Sequence, residues 1–247
     1  MTRFEGKRAI VLGAANGIGR ATAARMAAEG ATVAAIDINE GRLNELVVES
    51  KSSAGSIKPF MASAVEQEEV DGAVAEFLDE GDGIDILVNT VGGSTILNRE
   101  FGGLETLLLD EWRALVDFNL TGCFLSLRSV IPVMKAQNSG KIVNVASIAG
   151  RGLSKVSNCA YAAAKCGLIA LTRKLSFELG PHGITCNAIA PGISLTDRVE
   201  PRWNNRSAEE KAGVLANIPL GRLPRSEDQA GVICFLASED ANFVTGV

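Results

Sequence analysis

The chain has 247 residues, of which 47% are hydrophobic and 21% charged, and its net charge is -5. This composition is ordinary for a soluble globular protein, and the length suits one large core in a single domain, 1–247. The chain has no basic run that could follow a phosphate backbone, no signal peptide and no apolar run of about 20 residues. We therefore expect a cytoplasmic protein with no nucleic-acid or membrane partner.

Cysteine and histidine usage excludes two classes of site. The five cysteines include no Cys-x-x-Cys pair, and His182 is the only histidine. This pattern predicts neither a disulfide framework nor a metal site, and a single histidine argues against a Ser-His-Asp triad. We expect buried free thiols in a reducing compartment.

Short apolar runs alternate with amphipathic or alanine-rich stretches along the chain. The runs consist largely of Val, Ile, Leu and Ala, as is typical of parallel strands that are covered on both faces. The alternation predicts an α/β fold, a Rossmann-type doubly wound parallel sheet in three layers with right-handed crossovers. The predicted strands are 8–12, 32–36, 57–62, 84–89, 141–146 and 184–190, and the predicted helices are 17–29, 41–50, 66–78, 110–135, 158–179 and 227–236.

A glycine-rich turn follows the first predicted strand and opens the first predicted helix. Gly13, Gly17 and Gly19 stand in the run Gly-Ala-Ala-Asn-Gly-Ile-Gly. The first glycine permits a tight exit from the strand, the second lets the backbone approach a pyrophosphate, and the third lets helix and sheet pack closely. Because the helix N-terminus also offers free N–H groups, this context predicts a dinucleotide site.

Asp37 ends the second predicted strand, about 20 residues after the glycines, where an acid can bind the adenosine ribose hydroxyls. A carboxylate there repels the 2′-phosphate of NADP, and the first basic residue beyond it is Arg42. The sequence therefore favours NAD over NADP. Asp37 could instead, or in addition, cap the next helix. Asn89, which ends the fourth strand, could hold a turn beside the adenosine or satisfy local backbone groups.

Tyr161 and Lys165 stand four residues apart in an alanine-rich stretch. On a helix this spacing puts the phenol and the ammonium on one face, where a fixed cation lowers the pKa of the phenol. The pair therefore predicts a proton carrier that works near neutral pH. The same spacing also arises when a surface tyrosine stands beside a solvated lysine.

The polar segment 192–223 breaks the alternation before the last helix. An insertion of this length predicts a lid over a site or, alternatively, a tolerated surface excursion. Residues 197–211 of this segment include four basic and four acidic side chains, so this part of the lid has no net charge. Outside the lid, three basic residues could meet an anionic group or be solvated loop charges: Arg99, Arg151 and Lys155.

Further residues complete a pattern that runs over nearly the whole chain. They are, in chain order, an asparagine-led turn at 89–93, Asn119 in Phe-Asn-Leu-Thr-Gly, Ser147 after the fifth strand, and the run 187–192. Together with the glycine turn and the Tyr161/Lys165 pair, they resemble the short-chain dehydrogenase/reductase family in its common form.

The resemblance implies an NAD-dependent oxidoreductase that interconverts a secondary alcohol and a ketone. In this role Tyr161 removes the alcohol proton, Ser147 hydrogen-bonds the reacting oxygen, and Lys165 lowers the tyrosine pKa and holds the nicotinamide ribose. Asn119 kinks its helix and seats a water that relays the proton. The implied cofactor contacts are Gly13, Asn16, Gly17, Ile18, Gly19, Asp37, Ser63, Ala64, Asn89, Val91, Gly92, Tyr161, Lys165, Pro191, Gly192, Ile193 and Thr196.

The sequence departs from the family pattern in four places. Leu12 replaces a threonine, so a hydroxyl contact to the neighbouring turn is expected to be lost. Thr90-Val91 replaces Asn-Ala, and Ser63 stands where an aspartate often meets the adenine. Family members also continue beyond the equivalent of 245–247 into a strand that often packs in a subunit interface. The family implies a homo-oligomer, either a tetramer or a dimer.

The sequence leaves three candidate activities open. The turn 91–93 is similar to that of some enzymes that oxidise cyclic diols or ring alcohols. A 3-oxoacyl-[acyl-carrier-protein] reductase would prefer NADPH, against which Asp37 argues, and would carry a basic docking patch. A non-catalytic dinucleotide-binding regulator usually lacks part of the catalytic tetrad, and all four members are present.

Overall fold

A computed structural model describes residues 2–94, 96–97, 103–154 and 157–247. At its centre lies a six-stranded sheet in the order β3-β2-β1-β4-β5-β6, and every neighbouring pair is parallel. The strand order reverses beside β1, which pairs with both β2 and β4. The strands are β1 (Arg8–Leu12), β2 (Thr32–Asp37), β3 (Ser56–Met61), β4 (Ile86–Asn89), β5 (Gly140–Val145) and β6 (Ile184–Ile189).

Helices follow each strand, as the alternation predicts. Their bounds are α1 (Gly17–Ala28), α2 (Glu40–Glu49), α3 (Gln67–Asp79), α4 (Leu109–Val116), α5 (Gly122–Gln137), α6 (Cys159–Leu179), α7 (Glu200–Asn204), α8 (Ala208–Leu215) and α9 (Ser226–Leu236).

The helices cover both faces of the sheet and create the three predicted layers. Alternate residues of β1 point to opposite faces. Ala9 and Val11 belong to an apolar cluster with α1, α2 and α9, whereas Ile10 and Leu12 belong to a second cluster with α3, α5 and α6. The Rossmann-type fold is therefore confirmed.

The predicted helix 110–135 is part of a continuous helical stretch, Leu109–Gln137, that is interrupted in its middle. Asp117–Thr121 forms a π-turn between α4 and α5. By length and composition this stretch could cross a membrane, with a mean hydropathy of 1.3 over an 18-residue window, and the expectation that the protein has no membrane partner stays a prediction. Its α5 part packs against α3, β4 and β5 within the domain.

Three of the five cysteines are buried and two are exposed. Cys123, Cys186 and Cys234 are buried free thiols, as expected. Cys159 and Cys166 are exposed, because they lie seven residues apart on the outer face of α6.

The predicted lid 192–223 leaves the sheet and returns to nearly the same point. The Leu195 N–H donates to the Pro224 carbonyl at 2.7 Å, and Leu195 forms an isolated parallel bridge with Arg225. Between these points lie the short helices α7 and α8. The two ends of this segment are bonded to each other beside the sheet, as suits a lid. That the segment closes over the site stays a prediction.

Candidate active site

A cleft of about 650 Å³ runs along the carboxyl ends of the strands. It crosses the point between β1 and β4 where the strand order reverses, which is where open α/β sheets bind ligands. Most of the residues that the sequence predicted line this cleft. They are Gly13, Asn16, Gly17, Ile18, Gly19, Asp37, Ser63, Ala64, Val91, Gly92, Ser147, Tyr161, Lys165, Pro191, Gly192, Ile193 and Thr196.

The turn between β1 and α1 presents an open helix N-terminus to the cleft. Gly13 has a φ of +82°, and a side chain on Gly19 would collide with the Gly13 carbonyl. In this described turn Asn16 makes no side-chain capping bond to α1, and the first turn of the helix has no acidic residue. The first N–H groups of α1 are therefore available to an anion.

Thr90 supplies the hydroxyl contact that was expected to be lost at Leu12. Its Oγ1 donates to the Leu12 carbonyl at 2.6 Å and lies 3.2 Å from the Gly13 carbonyl. The expectation of a lost contact is wrong, because the hydroxyl comes from the turn after β4 instead of from β1. Sequence reasoning recorded Thr90 as a departure from the family and missed this role.

Asp37 ends β2 with both carboxylate oxygens bonded to the backbone. Its Oδ2 accepts from the Ala15 N–H and its Oδ1 from the Asn39 N–H, each at 3.1 Å. The cap of α2 is Asn39, whose Oδ1 accepts from the Arg42 N–H at 3.1 Å. The alternative in which Asp37 caps that helix is therefore wrong, and the Asp37 side chain lines the cleft.

Asn89 is a predicted cofactor residue whose side chain lies in the core. It is fully buried, donates from Nδ2 to the Asn144 Oδ1 at 2.9 Å, and accepts from the Ser126 hydroxyl at 2.6 Å. Asn144 in turn donates to the Thr172 hydroxyl at 2.9 Å. This amide joins the sheet to α5 and α6 behind the turn, and the predicted role of Asn89 in holding the turn beside the adenosine stays a prediction.

Lys165 and Asn119 meet behind the turn at Gly92 and Gly93. Lys165 is buried, and its Nζ donates to the Val145 carbonyl at 2.8 Å. Asn119 lies in the π-turn, where it accepts from the Gly93 N–H at 2.8 Å and donates to the Gly93 carbonyl at 3.1 Å. A side chain on Gly92 would collide with the Lys165 Nζ and with the Asn119 Oδ1. The predicted kink at Asn119 therefore takes the form of a π-turn that holds this glycine turn in place.

Tyr161 lies in the first turn of α6, where Asn158 caps the helix by accepting from the Tyr161 N–H at 2.8 Å. Burial raises the pKa of the Tyr161 phenol, whereas a hydrogen bond with Ser147 and the charge of Arg198 act in the opposite direction. Burial also lowers the pKa of the Lys165 ammonium. Desolvation outweighs these two effects on the Tyr161 pKa, and the expected lowering of that pKa by Lys165 stays a prediction.

Sequence reasoning missed Arg198, which reaches into the cleft from the segment after β6. Its Nη1 donates to the Gly92 carbonyl at 3.2 Å. No signal marked it, because its charge is one of eight that balance in the lid. Of the basic residues that were predicted for an anion, Arg99 and Lys155 lie outside the described residues. Arg151 is exposed and does not line the cleft.

Comparison with known proteins agrees with this geometry. The family profile described as Enoyl-(Acyl carrier protein) reductase matches residues 13–247. The chain is 37% identical over 245 residues to 3-oxoacyl-[acyl-carrier-protein] reductase FabG of Thermotoga maritima, which covers 99% of this chain and 95% of that protein. The chain belongs to the short-chain dehydrogenase/reductase family.

Two other short-chain dehydrogenases/reductases show the range of substrates among similar proteins. The 7alpha-hydroxysteroid dehydrogenase of Bacteroides fragilis is 36% identical over 247 residues, with 100% of this chain and 93% of that protein covered. A 3-oxoacyl-[acyl-carrier protein] reductase from Brucella melitensis, solved with bound NAD, has a TM-score of 0.89 and 32% identity, covering 99% and 89% of the two chains. The protein is therefore an oxidoreductase of a family that uses nicotinamide dinucleotides.

Proposed function

We propose that the protein is an NAD-dependent oxidoreductase that interconverts a secondary alcohol and a ketone, with Tyr161 as acid and base. One observation carries this proposal. Tyr161, Ser147 and Lys165 line one end of a continuous cleft, and Asp37 lines the other end.

The cleft suits an extended dinucleotide. The open N-terminus of α1 faces the place of the pyrophosphate, Asp37 suits the adenosine ribose, and Lys165 suits the nicotinamide ribose. When bound, a nicotinamide dinucleotide donates or accepts the hydride. The other residues that we assign to its binding are Gly13, Asn16, Gly17, Ile18, Gly19, Ser63, Ala64, Val91, Gly92, Pro191, Gly192, Ile193 and Thr196.

The protein moves a proton at the phenol oxygen of Tyr161. Because burial raises the pKa of this phenol, it is protonated at neutral pH and can donate to the carbonyl oxygen of a ketone. In the oxidation direction the phenolate takes the proton back. The Ser147 hydroxyl donates to the same substrate oxygen, and its own Oγ is oriented by the Ala149 N–H at 3.1 Å.

Lys165 and Asn119 support this chemistry by positioning the groups around the reaction site. The Lys165 ammonium uses one N–H on the Val145 carbonyl and keeps the others for the ribose hydroxyls. Asn119 fixes the Gly93 backbone through both atoms of its amide, and the water relay implied by the family remains a prediction for it.

The charges at the adenosine end favour NAD over NADP. Asp37 repels a 2′-phosphate. Arg42, the first cation after Asp37, pairs with Asp197 at 3.4 Å between Nη1 and Oδ2, so its charge is partly neutralised. Both features disfavour the additional phosphate of NADP.

The substrate class has two candidates. The turn 91–93 and the similarity to a hydroxysteroid dehydrogenase favour a ring alcohol or cyclic diol. The similarity to two 3-oxoacyl-[acyl-carrier-protein] reductases favours that activity as the second candidate. One of those reductases was solved with NAD, so the preference for NAD that Asp37 indicates does not decide between them. A non-catalytic regulator is disfavoured by the complete tetrad. A cytoplasmic location and a homodimer or homotetramer remain predictions.

Two experiments test the proposed function: a screen of candidate substrates, and a variant that is expected to change the cofactor preference. The purified protein is assayed by NADH absorbance, with NAD as oxidant for ring diols, hydroxy acids, sugar alcohols and hydroxysteroids, and with NADH as reductant for a 3-oxoacyl thioester. We expect turnover of at least one of these compounds. Replacement of Asp37 by Ser should raise the ratio of kcat/KM for NADP to that for NAD by about tenfold or more, because the repelling carboxylate is removed.

The matched control for cofactor exchange is Glu40→Ser. Glu40 is an exposed acid three residues later that does not line the cleft. This variant should keep the wild-type ratio. An unchanged ratio in Asp37→Ser would remove Asp37 from cofactor selection, and NADH binding without turnover on any substrate would contradict the proposed activity.

A further inference from the structure

Arg198 stands over the reaction end of the cleft with no carboxylate partner among the residues that the structure describes. Its Nη1 donates to the Gly92 carbonyl at 3.2 Å, and a side chain on Gly93 would collide with the guanidinium. The neighbouring cation Arg42 is paired with Asp197. Arg198 therefore enters the cleft with most of its N–H donors uncommitted to an acid.

The charge of Arg198 reaches the reacting group. Arg198 and Tyr161 both line the cleft, and the Arg198 charge acts on the pKa of the phenol against the effect of burial. Among the described residues that line the cleft, the other ionised side chains are Asp37, at the adenosine end, and Lys165, which is turned to a backbone carbonyl. Within the described part of the chain, the positive charge that is open to a substrate at the reaction end is that of Arg198.

Two hydroxyl groups that line the cleft point to a polar ligand independently. Ser157 and Ser194 line the cleft, and the Oγ of each is buried without a hydrogen-bond partner in the described part of the chain. A buried hydroxyl without a partner costs free energy, which a ligand can offset by supplying a hydrogen bond. Ser94 and Ser154 also line this region. These groups suit an oxygen-rich substrate better than a purely apolar ring.

We propose that Arg198 is the anion receptor of the active site, and that the substrate is a secondary alcohol or ketone that carries a carboxylate close to the reacting carbon. The planar guanidinium matches a carboxylate with two parallel N–H···O bonds. This inference rests on the proposed function, because it names the substrate class of the same site.

The test compares carboxylate substrates with their uncharged amides. NAD-linked turnover of the full chain is measured with 3-hydroxybutyrate and 3-hydroxycyclohexanecarboxylate and with the primary amide of each. The variants are Arg198→Gln, Arg198→Lys and, as the matched control, Arg202→Gln, which removes an exposed arginine four residues later. NADH affinity is measured for every variant by fluorescence.

We expect the wild type to prefer the acid over the amide. On the high-pH plateau of each enzyme, where the Tyr161 phenol is ionised, Arg198→Gln should lower kcat/KM for the acid about tenfold to a hundredfold, through KM, and should leave the amide within about twofold. Arg198→Lys should retain part of the preference, and Arg202→Gln should retain all of it. The Kd of NADH should not change in any variant.

Three results would overturn the inference. One is an equal loss for acid and amide in Arg198→Gln, and another is a wild-type enzyme with no preference for the acid. The third is a weakened NADH affinity in Arg198→Gln with the acid preference retained, which would make Arg198 a ligand of the cofactor phosphates.

A binding measurement separates this inference from the proposed function. If NADH binds but none of these compounds turns over, the proposed activity on them fails. The charge inference is then decided by titrating the enzyme–NADH complex with cyclohexanecarboxylate and cyclohexanecarboxamide. Binding of the carboxylate alone, lost in Arg198→Gln, supports it, and the absence of such binding contradicts it.

Discussion

At the scale of single residues, the reactivity of the cleft depends on how the Tyr161 phenol is solvated. Burial raises its pKa more than Ser147 and Arg198 lower it. Lys165 lies one turn further along α6, but its ammonium is itself buried and bonded to the Val145 carbonyl. The protonated phenol is therefore the resting form at neutral pH.

This resting form predicts opposite pH profiles for the two directions. The phenolate accepts the proton in alcohol oxidation, so kcat/KM should rise with pH and level off above the raised pKa of Tyr161. The phenol donates the proton in ketone reduction, so that rate should be constant at neutral pH and fall as pH passes the same pKa. Profiles of kcat/KM between about pH 6 and about pH 11 measure both.

The Arg198→Gln variant provides a directional check on these profiles. Because Arg198 opposes the effect of burial, its removal should move the Tyr161 midpoint to higher pH, while Arg202→Gln should leave it in place. A wild-type midpoint below neutrality would mean that a neighbouring cation outweighs desolvation after all, which would contradict this account.

At the scale of elements, the π-turn between α4 and α5 links a long helical stretch to the glycine turn after β4. Asn119 is fully buried, and its amide bonds to both the N–H and the carbonyl of Gly93. The widened helical turn brings this amide against the turn, as π-turns at functional sites often do. Cofactor-facing backbone is thus held by a residue that does not line the cleft.

Replacement of Asn119 by Ala should destabilise the protein by about 1–3 kcal/mol, because partly buried Gly93 groups lose their partners. Urea unfolding measures the change. The matched control is Thr121→Ala on the same π-turn, which removes only a hydroxyl bond to the exposed Asp117 and should cost less than about 0.5 kcal/mol. Equal losses in the two variants would show that Asn119 does not hold the turn.

The strands were predictable because parallel strands that are buried on both faces leave continuous apolar runs. The start of β4 was placed two residues early, at Ile84, since the Ile84 N–H bonds to the Gln137 side chain instead of the sheet. The helix α8 in the lid was missed, although Ser207 and Glu210 form a capping box that signals its start.

The cleft was predictable where local spacing determines the chemistry, as at Gly13 and Asp37. The inward orientation of the Asn89 side chain was also predictable, from strand alternation. Asn89 points to the same face of β4 as Leu87, which packs in the cluster with α5 and α6. Thr90 and Arg198 depend on which segments meet in the folded chain, and no local pattern carries that information.

At the scale of the whole molecule, the chemistry and the selectivity come from different parts of the fold. Ser147 lies in the turn after β5, and Tyr161 and Lys165 lie in α6. Ser194 and Arg198 come from the excursion after β6, whose ends are tied at Leu195. The residues that we propose for proton transfer therefore lie in the core, and the residue that we propose for the anion contact lies in the excursion.

The central claim is that Tyr161 carries the proton, and Tyr161→Phe tests it most directly. The change removes one oxygen atom, and Tyr161 is the only tyrosine of the chain, so no other tyrosine can take over. On a substrate that the wild type turns over, we predict a loss of kcat/KM of about 10²–10⁴-fold, with the Kd of NADH within about twofold. Wild-type kcat/KM in this variant would contradict the account.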